Sequence, residues 1–246
     1  MPQGVVEHEC DAPSSAAGWD EYWLRAKRAQ HQGLYARIAE FYRSQIISRA
    51  AARILARYLR NETGRHYLHA GCGSGGSDRR LACDRPTFHA LDFSFTALTM
   101  NRARSLPGTH RFVCADLFHL PYRAQSIDGI FNFGVMEHLT EQDIERALAQ
   151  FHRVMTPDGY VVLFWPPNFG LSVMVLTSWL WIVNRFRKRP MKLYPDEISR
   201  VRSFRWVREL MARAQFQVVR TEFGWRDLFT FVVVIARPLR ERASAS

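Results

Sequence analysis

Four glycines in six positions, Gly71, Gly73, Gly75 and Gly76, follow the short run His66-Tyr67-Leu68-His69-Ala70. A turn of this composition lets the backbone approach a ligand that a Cβ would exclude, with its amides facing that ligand. Gly71, Gly73 and Gly76 fit the dinucleotide spacing G-x-G-x-x-G, a pattern that a glycine-rich surface turn also satisfies. Asp92 ends the next apolar run, Thr87 to Asp92, 21 residues after Gly71. In a strand–helix–strand unit this spacing places a carboxylate at the carboxyl end of the second strand, where it accepts hydrogen bonds from ribose hydroxyls. The alternative is an ordinary turn acid. Asp116 ends a third run, and Glu137-His138 follow a fourth. An imidazole has the intrinsic pKa for proton transfer near neutrality. The competing role for Glu137 and His138 is to shape the turn into the next helix.

The elements that carry these residues alternate. Strands are expected at His66–Ala70, Thr87–Asp92, Arg111–Asp116, Ser126–Val135 and Tyr160–Trp165. Between them, Ser94 caps a helix running to about Arg104. Thr140 caps another, with Asp143 in the capping-box position and Ile144, Leu148, Phe151 and Val154 on one face. Pro157-Asp158-Gly159 breaks that helix. Upstream, apolar residues from Leu34 to Leu59 fall at helical spacing and predict one long helix. Strands alternating with helices imply an α/β fold with a mostly parallel sheet.

The chain of 246 residues is long enough for one large α/β domain, and 47% hydrophobic residues exclude wholesale disorder. Its four cysteines form no C-x-x-C pair and read as reduced thiols of an intracellular protein. No secretory signal follows Met1, so a cytoplasmic location is expected. The net charge is +11, and residues 185–246 carry fifteen Lys/Arg against six Asp/Glu. Such a basic quarter suits an anionic substrate, an acidic membrane surface or nucleic acid, or is simply a solvated face. The nine histidines show no H-x-x-x-H or clustered Cys/His spacing, so no metal site is expected. No nucleic-acid partner is expected either: N/D-P-P-Y/F is absent, and Trp165-Pro166-Pro167-Asn168 is not that motif.

H-A-G-C-G-S-G at 69–75, A-L-D at 90–92, A-D-L at 115–117 with L-P-Y at 120–122, and S-I-D-G-I-F-N-F-G-V-M-E-H-L at 126–139 stand in order, closed by Pro157-Asp158-Gly159. The series resembles the class I S-adenosylmethionine-dependent methyltransferases, in particular their small-molecule branch. It covers roughly residues 60–165. The runs Phe216–Val219 and Phe229–Ala236 are similar to that family's final antiparallel strand pair. The resemblance implies a three-layer Rossmann-like sandwich with a mostly parallel seven-stranded sheet and an antiparallel C-terminal strand. It implies S-adenosylmethionine as cofactor. The backbone of Gly71, Cys72, Gly73, Ser74 and Gly75 lies against its methionine part. Asp92 is on the ribose and Phe93 near the adenine. Asp116 bonds the adenine amino group beside Leu117, and Asn132 and Gly134 border the methyl. A nicotinamide-dependent dehydrogenase would account for the glycines and Asp92, but gives no reason for Asp116 or Glu137-His138.

The expected organisation is a loose N-terminus (1–18), one domain (19–240) with a helical cover (19–60), a lid inserted after the fifth strand (166–200), and a tail (241–246). Trp19, Tyr22, Trp23, His31 and Tyr35 form an aromatic cover over the acceptor or pack simply, and Trp165 is a further acceptor contact. Residues 170–183 are uncharged, with Arg185-Phe186-Arg187-Lys188-Arg189 behind them. Fourteen residues fall short of the roughly 20 that span a bilayer. Residues 170–189 are therefore a peripheral membrane contact, a lid for a lipophilic acceptor, a dimer contact or a buried cap helix. A further helix is expected from Tyr194, with Val207, Leu210, Met211 and Ala214 on its apolar face. The expected function is methyl transfer to a small lipophilic or anionic acceptor, with His138 or Glu137 as base if a proton must leave. The alternative is a cofactor-binding module without turnover, attached to a membrane or a partner.

Overall fold

The structure, a computed structural model, describes residues 15–29, 38, 40–76, 80–81, 85–105, 110–170, 174, 178, 181, 185 and 197–239. His31, Tyr35, the loose segment up to residue 14, most of 171–196 and the tail lie outside them.

Seven strands form one sheet: β1 (His66–Ala70), β2 (Thr87–Asp92), β3 (His110–Cys114), β4 (Ile127–Phe133), β5 (Met155–Trp165), β6 (Phe216–Glu222) and β7 (Val232–Pro238). Their order is β3-β2-β1-β4-β5-β7-β6. Strands β1 to β5 pair in parallel, and β7 runs antiparallel between β5 and β6. A dinucleotide-binding sheet would carry a parallel sixth strand beside the fifth. The antiparallel β7 in that place separates this fold from the dehydrogenase alternative. Strand order reverses between β1 and β4, so the ligand crevice belongs at their carboxyl ends.

Alternate residues of the central strands enter opposite layers, as a period of two requires. Leu68, Ile130, Val161, Leu163 and Trp165 meet α4 (Glu141–Val154) and α5 (Phe204–Arg213) on one face. Tyr67, Phe131, Val162 and Phe164 meet α2 (Ser48–Leu55) on the other. Burial on both faces is what makes these strands read as continuous apolar runs. Near the sheet's β3 edge, Leu98 of α3 (Phe95–Arg104) packs with Ala90 and Cys72. The caps are as expected: Ser94 Oγ accepts from Ala97 N (3.1 Å), and Thr140 Oγ1 from Asp143 N (3.2 Å).

Several boundaries differ from the sequence reading. The first helix, α1 (Ala16–Ala29), begins inside the segment expected to be loose, and Ser15 Oγ accepts from Gly18 N at its start. The long helix is not uniform: Tyr42–Ile47 form a π-turn that leads into α2. A π-turn widens the ring and frees carbonyls. Arg80 takes up one of them, with Nε donating to Ser44 O (2.9 Å), and its Nη2 donates to the Gln45 side-chain Oε1 (2.8 Å). Pro157-Asp158-Gly159 lies within β5 as a bulge, because the register with β4 jumps from Ile127↔Met155 to Gly129↔Tyr160. Of the helix expected from Tyr194, 194–196 lie outside the described residues, and the part that carries Val207, Leu210 and Met211 starts at Phe204, where Ser203 Oγ accepts from Trp206 N (3.1 Å). Residues 197–200 before it run without helix, and Val201 bridges to Pro167.

The turn between β6 and β7 is cross-braced. Tyr42 Oη donates to Asp227 O (2.8 Å), Phe231 N to Asp227 Oδ2 (2.9 Å), and Phe229 N to Gly224 O (2.9 Å). These bonds hold Leu228 and Phe229 in left-handed backbone, φ +55° and +58°. That conformation costs residues with a Cβ about 1–2 kcal/mol each.

Candidate active site

The glycine turn is drawn over the end of β2. Gly71 N and Cys72 N both donate to Leu91 O, at 2.8 and 2.9 Å. Gly73 N donates to Asp92 Oδ2 (2.8 Å), and Ser94 N to Asp92 Oδ1 (2.9 Å). Asp92 thus ties two turns together, and each carboxylate oxygen keeps lone-pair capacity for a further donor. Burial raises its pKa, while the N–H groups of Ser94, Gly73 and Phe93 oppose the rise.

Two glycines here are sterically required. Gly71 has φ +70°, and a Cβ on it would stand 2.5 Å from Val135 Cγ2. Gly75 has φ +74°, and its Cβ would stand 2.3 Å from Asn101 Oδ1. Asn101 is fully buried in α3, where its Oδ1 accepts from Ser105 Oγ (2.8 Å). Ser74 Oγ accepts from Arg104 Nη1 (3.0 Å), so α3 grips the turn from behind.

On the β4 side, Asn132 is fully buried and donates from Nδ2 to Ala70 O (2.8 Å). Its Oδ1 has no hydrogen-bond partner among the described residues. Gly134 turns the chain with φ +63° into the short 3-10 turn Met136–His138. The Glu137 carboxyl is buried, and burial pushes its pKa up to about 8, with Glu197 adding to the rise and Arg200 opposing it. Its Oε2 has no hydrogen-bond partner among the described residues. Its backbone oxygen accepts from Ile198 N and Ser199 N, pinning the chain where it returns from the insertion.

Asp116 lies farther along the rim, exposed, with Oδ1 accepting from Phe118 N (2.9 Å). Half-buried Leu117 packs against the main core beside it. Half-buried Phe93 sits between these acids, its carbonyl facing Cys114 Sγ at 3.7 Å, and Ala115 N donates to Asp92 O (3.1 Å).

Helix α1 crosses this rim. Trp19, Tyr22 and Trp23 form edge-to-face contacts at 5.3 Å, and Trp19 makes the same contact with His138. Trp23 lies against Gly73, 2.9 Å from where a Cβ would stand. Asp20 accepts from Ser94 Oγ and from Thr96 N (2.9 Å), which lowers its pKa. Asp20, Asn101 and Arg104 did not stand out in the sequence. An acid inside W-D-E-Y-W and an asparagine among the buried positions of a helix were the available signals.

The expected cofactor contacts at the turn, Asp92, Phe93, Asn132 and Gly134 cluster where strand order reverses, with Glu137-His138 and Tyr22-Trp23 beside them. Asp116 and Leu117 extend the site along the β3 edge. Trp165 is displaced from it. Its side chain is fully buried, Nε1 donates to Ser199 O (2.6 Å), and the ring packs on Trp206 at 5.2 Å. An alternating strand that enters the core with Leu163 must carry Trp165 there too. Among the described residues no group of three or more His, Cys, Asp or Glu is placed to hold a metal ion.

A family model described as a methyltransferase domain matches residues 68–163, the stretch from β1 through β5. A probable S-adenosylmethionine-dependent methyltransferase of Mycobacterium tuberculosis is 29% identical over 180 residues, covering 73% of this chain and 53% of its own length. An uncharacterized methyltransferase of Oceanobacillus iheyensis is 25% identical over 166 residues, 68% of either chain. The alignment thus spans about half of the mycobacterial relative. Magnesium protoporphyrin IX methyltransferase from Synechocystis, solved with bound SAH, has the same fold, with a TM-score of 0.61 at 16% identity over 90% of this chain and 94% of that one. Residues 68–163 carry that methyltransferase domain, and the relatives together with the fold support a class I S-adenosylmethionine-dependent methyltransferase whose cofactor is S-adenosylmethionine. The site fits that cofactor. Asp92 keeps free lone pairs at the crevice, and the buried Asn132 Oδ1 has room for a donor.

Proposed function

We propose that the protein transfers a methyl group to a small amphiphilic acceptor, lipophilic in its body and polar or anionic at its reactive end. The observation that carries this is the meeting of Asp92, the glycine turn, His138 and the Trp19-Tyr22-Trp23 cluster at one end of the sheet. When bound, S-adenosylmethionine supplies an already activated methyl, so much of the catalysis is alignment and exclusion of water. The backbone of Gly71–Gly75 and Asn132 hold its methionine end, Asp92 its ribose, and Phe93, Asp116 and Leu117 its adenine. The aromatic cluster on α1 offers flat apolar surface to the acceptor and shields the crevice. Where the acceptor must lose a proton, the half-buried His138 is the base. The neighbouring Glu137 is kept protonated by burial at neutral pH and serves to position the turn.

The test has two parts. Calorimetric titration with S-adenosylmethionine should give binding that Asp92→Ala removes. Incubation with methyl-labelled cofactor and a panel of amphiphilic phenols, acids and amines should move label to an acceptor. With an O–H or N–H acceptor, His138→Ala should lower kcat about 10²-fold or more and leave cofactor affinity in place. Cofactor binding with no label moved to any acceptor class would overturn turnover.

A further inference from the structure

The β6–β7 turn places hydrophobic side chains in water. Trp225 is 74% exposed and Leu228 46%. The turn is not slack at these positions, because the Tyr42 and Asp227 bonds hold Leu228 in left-handed backbone. Strained backbone kept in place by surrounding bonds is a recurrent mark of functional segments. Rings link the turn to the rest of the rim: Phe229 touches Phe223 (5.2 Å), Phe223 touches Phe169 (5.4 Å), and Phe169 touches Phe204 (6.1 Å). Phe169 and Phe204 are themselves 40% and 37% exposed. A contiguous apolar rim of this kind marks an interaction surface.

Charge identifies the occupant. Arg226 is exposed between Trp225 and Asp227 and makes no ion pair among the described residues. A cavity of about 400 Å³ opens beside Trp225 and shares no residue with the glycine turn; on its wall Arg220 pairs with Glu222 (3.0 Å) and Asp227 is buried, which leaves Arg226 as the exposed charge there. Residues 185–246 carry nine of the eleven net positive charges. Tryptophan and leucine flanked by arginine are the composition of a surface that rests in the headgroup layer of an anionic bilayer. Among the described residues no helix is long and apolar enough to cross a membrane, so any contact they make is interfacial.

Position connects this surface to the site. Because β7 is antiparallel to both neighbours, β6 runs with β5, and the β6–β7 turn lies at the carboxyl end of the sheet, as do Asp92 and His138. We propose that Trp225, Arg226 and Leu228, with the Phe169–Phe204 rim, dock the protein on an anionic lipid surface. Docked in this way, the crevice faces the bilayer and receives an acceptor whose apolar part stays in the lipid. The second half of this statement rests on the methyl-transfer reading, whereas the docking itself does not.

Flotation of the full chain without cofactor or acceptor tests the docking. Vesicles of phosphatidylcholine alone are compared with vesicles that also contain phosphatidylglycerol, at low and high salt. The wild type should float with the anionic vesicles and be released by salt. Arg226→Glu should weaken the partition about fivefold or more. Trp225→Ser with Leu228→Gly should weaken it about tenfold or more. Circular dichroism and calorimetric cofactor binding confirm that each variant is folded, and Arg226→Glu, a surface charge change, stands in if the double variant is not. A wild type that stays at the bottom of the gradient overturns the proposal. So does undiminished flotation of both variants, or a dimer in which Trp225 is buried by a second copy. Failure of the wild type to bind S-adenosylmethionine would instead remove the methyl-transfer reading and leave the flotation result standing.

Discussion

Glu137→Gln replaces one oxygen by an amide nitrogen and removes a group whose charge depends on pH. In the folded chain the carboxyl is buried, its Oε2 has no hydrogen-bond partner among the described residues, and its pKa lies at about 8. Its ordinary value is 4.5, which the unfolded chain restores. The native state therefore holds the proton more tightly than the unfolded one. Between pH 4.5 and about 8 the unfolded chain sheds the proton while the native chain keeps it. The carboxyl's contribution is thus full below pH 4.5 and is lost as pH rises toward 8, at about 1.4 kcal/mol per unit. Across the window the loss approaches about 4–5 kcal/mol, with relaxation and water entry reducing it. Glutamine fills the same volume without that slope. Urea unfolding of both proteins at about pH 5, 6.5 and 8 reads the difference directly, because Asp92, Asp227 and every other titrating group are shared. The variant should gain on the wild type by several kcal/mol between the first and last pH. A stability difference that stays constant across the three would refute the reasoning: the carboxyl would then be ionised in the native state, with water or a cation at Oε2.

Other perturbations probe the supports of the site. Gly75→Ala should cost about 2–4 kcal/mol from left-handed backbone and overlap with Asn101. Asn101→Ser should recover part of that cost in a double-mutant cycle of urea midpoints, whereas strict additivity would show that the two do not touch. Arg80→Ala should lose about 1–2 kcal/mol by taking the guanidinium from the Ser44 carbonyl, to which Ser48 Oγ still donates, and from the Gln45 side chain. Arg80→Lys should not restore it, since one ammonium lacks the fork that reaches both Ser44 and Gln45. Asp20→Ala should release α1 and speed limited proteolysis there while the thermal midpoint of the core stays within a few degrees; unchanged proteolysis would show that the aromatic contacts alone hold the helix.

The parts legible in the sequence were those where a local rule and the tertiary fold agree. Strands β1, β2, β4 and β5 are buried on both faces, so composition alone marks them. Ser94 and Thr140 cap helices because a hydroxyl meets an orphan N–H a few residues away. The glycine turn and Asp92 were legible as a pair because their spacing is set by one strand–helix–strand unit. Long-range partners left no such trace. Asp20 finds Ser94 across 74 residues, and Arg80 finds Ser44 across 36. Trp165 was misplaced because an aromatic at a strand's carboxyl end suits a pocket wall and a core equally well until the facing helix is known. The late start of α5 has the same origin: a run of helix-compatible residues from Tyr194 says nothing of the Val201–Pro167 bridge that keeps the chain extended.

The π-turn at Tyr42–Ile47 is an α-helix with one residue too many. Removing a single residue from it would restore i→i+4 bonding and close the widened turn, withdrawing from Arg80 the Ser44 carbonyl that it reaches there. The extra residue is thus a foothold. It lets a guanidinium from far along the chain grip this helix from outside, with no core side chain taking part.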